Sequence, residues 1–183
     1  MDERKWIERI LAGDTQSFSC LVAKYEKMAY TIALRILENR EEAEEAVQDA
    51  FVKMYRALSD FHFDSKFSTW FYRIVYRTAL TALRQQRMFV SYEEAGPVDL
   101  SNDEVESATA LLEREDRKEM IARTLKKLPA DEALLLTLYY LEECSVEEIC
   151  QITELSASNV KVKLFRGRKR VYEVLQDKMK LET

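Results

Sequence analysis

The sequence predicts an all-α protein built as two small helical domains joined by an acidic linker, with a helix-turn-helix in the second domain. Three observations carry this prediction. Glycine and proline number only 3 and 2 in 183 residues, too few for the tight turns of an all-β fold. Apolar residues recur at helical spacing through long segments that begin at capping residues. Charge is segregated: residues 66–92 hold no Asp or Glu, residues 93–106 hold no Lys or Arg, and a second basic block follows near the C-terminus. The net charge of −5 therefore says little about partners, because local fields decide what the chain attracts.

Residues 1–90 form the first predicted domain. Asp14 reads as an N-cap for a helix whose inward set is Phe18, Leu21, Val22, Tyr25, Ala29, Ile32 and Ile36. Asn39 with Glu42 fits a capping box, and the next helix buries Ala43, Ala46, Val47, Ala50, Phe51, Met54 and Leu58. A loop, DFHFDSKFST, leads to a third long helix from near Ser68 to about Arg87, with Phe71, Ile74, Val75, Thr78, Ala82 and Leu83 inward. Residues 91–107, with Gly96 and Pro97 and no apolar period, are the predicted flexible linker. Residues 108–183 form the second domain. A helix to Leu128 ends at Pro129, and another covers 131–141. Ser145 and Glu148 box a short helix, and Ser156 caps a last, basic one.

Several function classes drop out. Cys20, Cys144 and Cys150 are an odd, scattered set with no CxxC pair, and His62 is the one histidine, so neither a disulfide framework nor a metal set is expected. No cofactor motif, phosphate loop or nucleophile–base pattern stands out, which argues against an enzyme. There is no apolar run that would span a bilayer and no secretion signal, so a cytoplasmic location is expected.

The segment SVEEICQITELSASNVKVKLFRGRKR reads as a helix-turn-helix. On its second helix Val160, Leu164, Gly167 and Val171 share the inward face, glycine where a close helix approach wants no side chain. The outward face offers Ser158 and Asn159 for base edges, with Val162 beside them. Lys161, Lys163, Arg166 and Lys169 suit phosphates. A solvated basic helix in a bundle is the competing reading.

KFSTWFYRIVYR places rings and arginines together. Trp70, Arg73, Arg77, Thr81 and Arg84 fall away from the core face, with Tyr72 and Tyr76 on its flanks. Arginines one turn apart track a phosphate backbone, and exposed rings stack on unpaired bases at roughly 1–3 kcal/mol each. Extruding a base costs a few kcal/mol, so such a surface could capture a strand being opened. The competing reading is that rings such as Phe67 and Phe71 complete the core.

The segments EEAEEAVQDAFVKMYRAL, FDSKFSTWFYRIVYRTALTALRQQR and LPADEALLLTLYYLEECSVEEICQITELSASNVKVKLFRGRKR together resemble a bacterial RNA polymerase sigma factor of the extracytoplasmic-function group. The resemblance covers nearly the whole chain, both domains in order. It implies binding to core RNA polymerase and to promoter DNA, and in many members restraint by an anti-sigma factor that is often membrane-anchored. The first domain would read and melt the minus-ten element, its aromatic loop pocketing a flipped base. The residues for this are Phe61, Lys66, Phe67, Ser68, Thr69, Trp70, Arg73, Tyr76, Arg77 and Arg84. The second would read the minus-thirty-five duplex through Ser158, Asn159, Lys161, Val162, Lys163, Arg166 and Lys169. Glu45, Gln48 and Asp49 match the face that docks on the coiled coil of the polymerase's largest subunit, and Glu41 extends the same acidic stripe.

The chain also departs from the family pattern. Arg77 and Thr81 stand where Asn and Asp are usual, NVKVKL replaces TVKSRL, and RGR replaces RAR. Two other functions compete with that of a sigma factor. A sigma-like adaptor binding only an anti-sigma protein would not need the basic helices. A stand-alone helix-turn-helix regulator would not need the acidic stripe or the aromatic loop.

Overall fold

The computed structural model describes residues 3–90, 124, 125 and 127–181. The described residues form seven α-helices and one 3-10 turn and contain no strand. The predicted linker and most of the helix proposed for 108–128 lie outside them.

In the first domain α1 (Glu3–Leu11) buries Ile7 and Ile10 against α2 (Thr15–Leu37). Gly13 joins them at φ 97°, a left-handed conformation in which a side chain is strained. The carboxylate of Asp14 accepts from the Gln16 and Ser17 amides at 3.0 and 3.4 Å and from the Ser17 hydroxyl at 2.8 Å, capping α2. At the start of α3 (Arg40–Arg56) Asn39 accepts from the Glu42 amide at 3.2 Å. Glu42 does not return the bond. Its carboxylate accepts from Gln86 Nε2 at 3.0 Å instead, so the predicted box is half formed and α3 is tied to α4 (Phe67–Val90). A 3-10 turn (Leu58–Asp60) and the loop after it connect α3 to α4.

Helices α2, α3 and α4 pack pairwise around Leu21, Tyr25, Ile32, Met54, Phe71 and Val75, all nearly inaccessible. Phe61 and Phe67 join this core, their rings 5.5 Å apart and nearly perpendicular. Such edge-on pairs add about 0.5–1.5 kcal/mol beyond area burial.

The second domain has α5 (Ala130–Tyr140), α6 (Val146–Thr153) and α7 (Ala157–Leu181). The capping box of α6 is complete: Ser145 N donates to Glu148 Oε2 at 2.8 Å and Glu148 N to Ser145 Oγ at 3.2 Å. Glu154 ends α6 at φ 62°, and Ser156 Oγ accepts from the Asn159 amide at 3.3 Å to open α7. Residues 132–138 of α5 are all buried, because α7 covers one side of the helix and α2 another. Glu132, 5% exposed, meets Arg170 Nη1 at 3.1 Å. On α7, Val160 and Leu164 point inward, and a Cβ at Gly167 would lie 2.9 Å from Leu136 Cδ1, which is the close approach expected of RGR.

The two domains touch. Helix α6 packs on α4 and α5 on α2, and one apolar core runs through both. This corrects the expectation that Tyr72 sits on a flank: it is 2% exposed, and its hydroxyl donates to Glu142 Oε2 at 2.8 Å. Burial, reinforced by Glu142, holds the Tyr72 phenol above its usual pKa.

Candidate nucleic-acid and polymerase interfaces

The outward face of α7 is built by its own period. With Val160, Leu164 and Gly167 committed to the core, Ser158, Asn159, Lys161, Val162, Arg166 and Lys169 are left exposed. Phe165 is the most exposed large apolar residue among those described, at 68%. Lys163 is placed differently. It lies half-buried in an ion pair with Asp131, whose carboxyl burial would raise but the Lys163 bond holds below its usual pKa. Arg168 rests over the rings of Tyr139 and Tyr140, 5.8 and 6.0 Å from their centroids.

The α4 side divides into covered and open residues. Phe61, Phe67 and Thr69 are buried and present no face to a base, so the ring-stacking role proposed for the first two does not fit this arrangement. Ser68, Trp70, Arg73 and Tyr76 are half-buried. Trp70 lies against Phe61 and Phe67, with centroids 5.0 and 5.6 Å away. Lys66, Arg77 and Arg84 are exposed, but Lys66 Nζ is 3.0 Å from Glu148 Oε1 and Arg77 Nε donates to Glu154 Oε1 at 2.8 Å. Glu148 raises the pKa of the Lys66 ammonium. Burial would raise the Glu148 carboxyl, but the Ser145 amide and Lys66 outweigh it and hold the group below its usual value. Beside Arg77 a cavity of about 270 Å³ is lined by Lys53, Ala57, Ile74, Thr78 and Thr81, with Lys53 donating to Thr78 Oγ1 at 3.2 Å.

Phe63, outside the predicted minus-ten set, is an exposed ring of the same loop as Phe61. Its ring is 40% exposed, 4.7 Å from Phe61, with the Arg4 guanidinium 4.7 Å from its centroid. Its φ of 63° is left-handed, and holding a non-glycine residue there costs roughly 1–2 kcal/mol. The aromatic richness of DFHFDS hints at the ring, but nothing in that run distinguishes Phe63 from Phe61.

On α3, Glu41, Glu44, Glu45, Gln48 and Asp49 are all exposed opposite the buried Ala43, Ala46, Val47 and Ala50. The helix period alone creates this acidic face, and it continues into exposed Val52 and Tyr55.

Two family descriptions match the chain: Sigma-70 region 2 over residues 21–88 and Sigma-70 region 4 over residues 118–171. The RNA polymerase sigma-H factor of Pseudomonas aeruginosa is 32% identical over 181 residues, covering 95% of this chain and 94% of its own. The chain belongs to the sigma-70 family. The ECF RNA polymerase sigma-E factor of Escherichia coli K12 is 30% identical over 177 residues, covering 93% of this chain and 92% of its own, in keeping with the extracytoplasmic-function group. Among solved structures, the sigma factor RpoE in complex with the anti-sigma factor NepR from Bartonella quintana matches with a TM-score of 0.70. The identity is 18%, over 88% of this chain and 98% of that one. CnrH in complex with the cytosolic domain of CnrY matches at 0.62 and 21%, over 96% and 97%. At these identities the structures support the all-α sigma fold.

The chain is thus a sigma factor, a non-enzymatic factor for promoter-specific transcription initiation with RNA polymerase. No helix among the described residues is long and apolar enough to cross a membrane.

Proposed function

We propose that this sigma factor works in the cytoplasm and divides promoter recognition between two surfaces on separate domains, with a third surface for the enzyme. The α7 face reads minus-thirty-five duplex. Ser158 and Asn159 at its N-terminal end meet base edges, Val162 meets a thymine methyl, and Lys161, Arg166 and Lys169 hold phosphates. Arg73, Arg77 and Arg84 on α4 follow the backbone of the minus-ten strand. Phe63, Trp70 and Tyr76 are rings with surface to offer an unstacked base, and the cavity beside Arg77 adds hydroxyl and cationic donors. The acidic face of α3, with Glu41, Glu45, Gln48 and Asp49, docks on core RNA polymerase. One of the structural relatives was solved in complex with an anti-sigma factor, and a protein of that class is the matching partner here.

The observation that carries this reading is the helix-turn-helix itself. The completed capping box of α6, the Ser156 cap of α7 and a glycine pressed against Leu136 fix α7 so that six of the seven proposed minus-thirty-five residues face outward. Run-off transcription with core polymerase on a genomic fragment library, with start sites mapped, tests it. A shared pair of upstream elements is the expected result. Start sites that require this protein but share no such elements would reject two-surface promoter reading.

A further inference from the structure

We infer that α1 belongs to the strand-capturing surface: Arg4, seated on the Phe63 ring, is the cation that holds the phosphate beside the base stacked on that ring. The inference deepens the minus-ten reading given above and rests on it. Glu38 and Glu154 adopt left-handed backbone where helices close, and Gly13 adopts it at a corner. Phe63 adopts it in a loop and with a bulky side chain, the residue type least suited to it. Such outliers persist where the surroundings hold them, and they cluster at binding sites. The Phe63 ring stays 40% exposed while Phe61 and Phe67 are buried. A row of rings leads out to it from α4, with Trp70 to Phe61 at 5.0 Å and Phe61 to Phe63 at 4.7 Å. The row ends under the Arg4 guanidinium, 4.7 Å from the Phe63 centroid.

Helix α1 is fixed where it carries Arg4. The preceding Glu3 accepts from Lys24 and from the Tyr25 hydroxyl, Ile7 and Ile10 are buried, and the helix packs on the 3-10 turn before the loop. Arg4 Nε also lies 3.6 Å from Glu8 Oε1, but both side chains are more than half exposed, and a long, wet pair of this kind holds little. A guanidinium stacked through its face can still donate through its edge to a phosphate. The ring orients the group beforehand, so less side-chain freedom is lost when the strand arrives. A staple that pins α1 to the loop is the competing role. Glu3, Ile7 and Ile10 already anchor the helix, and a strained phenylalanine is a poor means of adding one exposed contact.

The test uses holoenzyme assembled with core RNA polymerase. The probe is a fluorescein-labelled single-stranded deoxyoligonucleotide copied from the non-template strand upstream of a mapped start site. R4A should weaken probe binding about three- to tenfold and lower the salt slope by about 0.7, the share of one phosphate on a single strand. R4K keeps the charge and should keep the slope. K5A, at an exposed cation more than a quarter-turn round the helix, should change neither. In an F63A background R4A should cost less than about twofold, because the guanidinium has lost its seat. F63G removes the ring and the backbone strain together, so probe affinity should fall while the melting temperature of the free chain holds or rises. Undiminished affinity or an unchanged slope in R4A overturns the inference. An equal loss in K5A, or an R4A effect of the same size with and without the ring, does the same. A lower melting temperature for F63G with affinity intact assigns the pair to the staple and also overturns it. R84A separates the two levels: loss of binding in R84A with none in R4A rejects this role of Arg4 and leaves the minus-ten reading standing, whereas loss in neither rejects both.

Discussion

Replacing Gly167 by alanine sets two effects of known sign against each other. The new methyl would lie 2.9 Å from Leu136 Cδ1, 3.3 Å from Leu136 Cγ and 3.5 Å from Glu132 Cβ. Carbon pairs rest at about 3.5–4.0 Å, so the two leucine contacts are short by several tenths of an ångström. Leu136 is 5% exposed in a row of buried neighbours and has little room to swing aside, and overpacking of this kind costs about 1–3 kcal/mol. Against that, alanine is favoured over glycine in a helix by about 1 kcal/mol. The balance is a destabilisation of about 0–2 kcal/mol, where an exposed helical glycine would give stabilisation. The sign should reverse once Leu136 is truncated. Leu136→Ala alone costs about 2–5 kcal/mol, and Gly167→Ala in that background should recover about 1 kcal/mol. Native-state hydrogen exchange of α7 amides is the suitable measurement, because Trp6 and Trp70 both lie in the first domain and their fluorescence reports there. Stabilisation by about 1 kcal/mol in the otherwise unaltered chain would refute the close-approach account of this glycine.

Arg166→Ala and Lys169→Ala should each flatten the salt dependence of promoter binding by about one unit, while Asn159→Ala changes sequence preference and leaves the slope; a salt titration separates them. Phe63→Ala should impair promoter opening, scored by thymine reactivity to permanganate, more than closed-complex binding, and Phe61→Ala should instead destabilise the fold by about 3–5 kcal/mol. Reversing charge at Glu45 and Asp49 should abolish co-purification with core polymerase while circular dichroism stays unchanged, since both side chains are exposed. The domain contact should also respond to pH. The Glu148 carboxyl is held below its ordinary 4.5 and the Lys66 ammonium above its ordinary 10.5. Their attraction is therefore complete between those values. It is lost as pH falls through the lowered Glu148 pKa or rises through the raised Lys66 pKa. Scattering should show a constant radius from about pH 5 to 10 and expansion on either side.

Four helices are legible in the sequence because two independent signals agree on each. Asp14, Asn39, Ser145 and Ser156 are the capping residues of α2, α3, α6 and α7 in the structure, and the apolar period of each helix points the same way. Helix α4 has its period alone and begins within a residue of the expected start. Helix α1 is harder: nine residues give fewer than three turns, too few for a period to stand out. Its anchor, Glu3 accepting from Lys24 and the Tyr25 hydroxyl, reaches across more than 20 positions. The same limit explains Tyr72 and Lys163. A helical wheel places one on a flank and the other on a basic face, but the partners that cover them, Glu142 and Asp131, are 70 and 32 residues away. In the loop before α4 no period applies, so composition shows that aromatic rings are present without showing which of Phe61, Phe63 and Phe67 stays outside.

The pairing of Lys163 with Asp131 alters the ionic balance of duplex binding. Phosphate contacts draw much of their strength from releasing condensed counterions into bulk salt, and each lysine that neutralises a phosphate adds to that release. Lys163 is already neutralised within its own domain. If it moves to a phosphate it leaves Asp131 bare beside a polyanion, so the exchange returns much of what the new contact gains. A tally of lysines and arginines therefore overstates how strongly this helix should grip DNA, and at this position the most basic segment of the chain is electrically balanced.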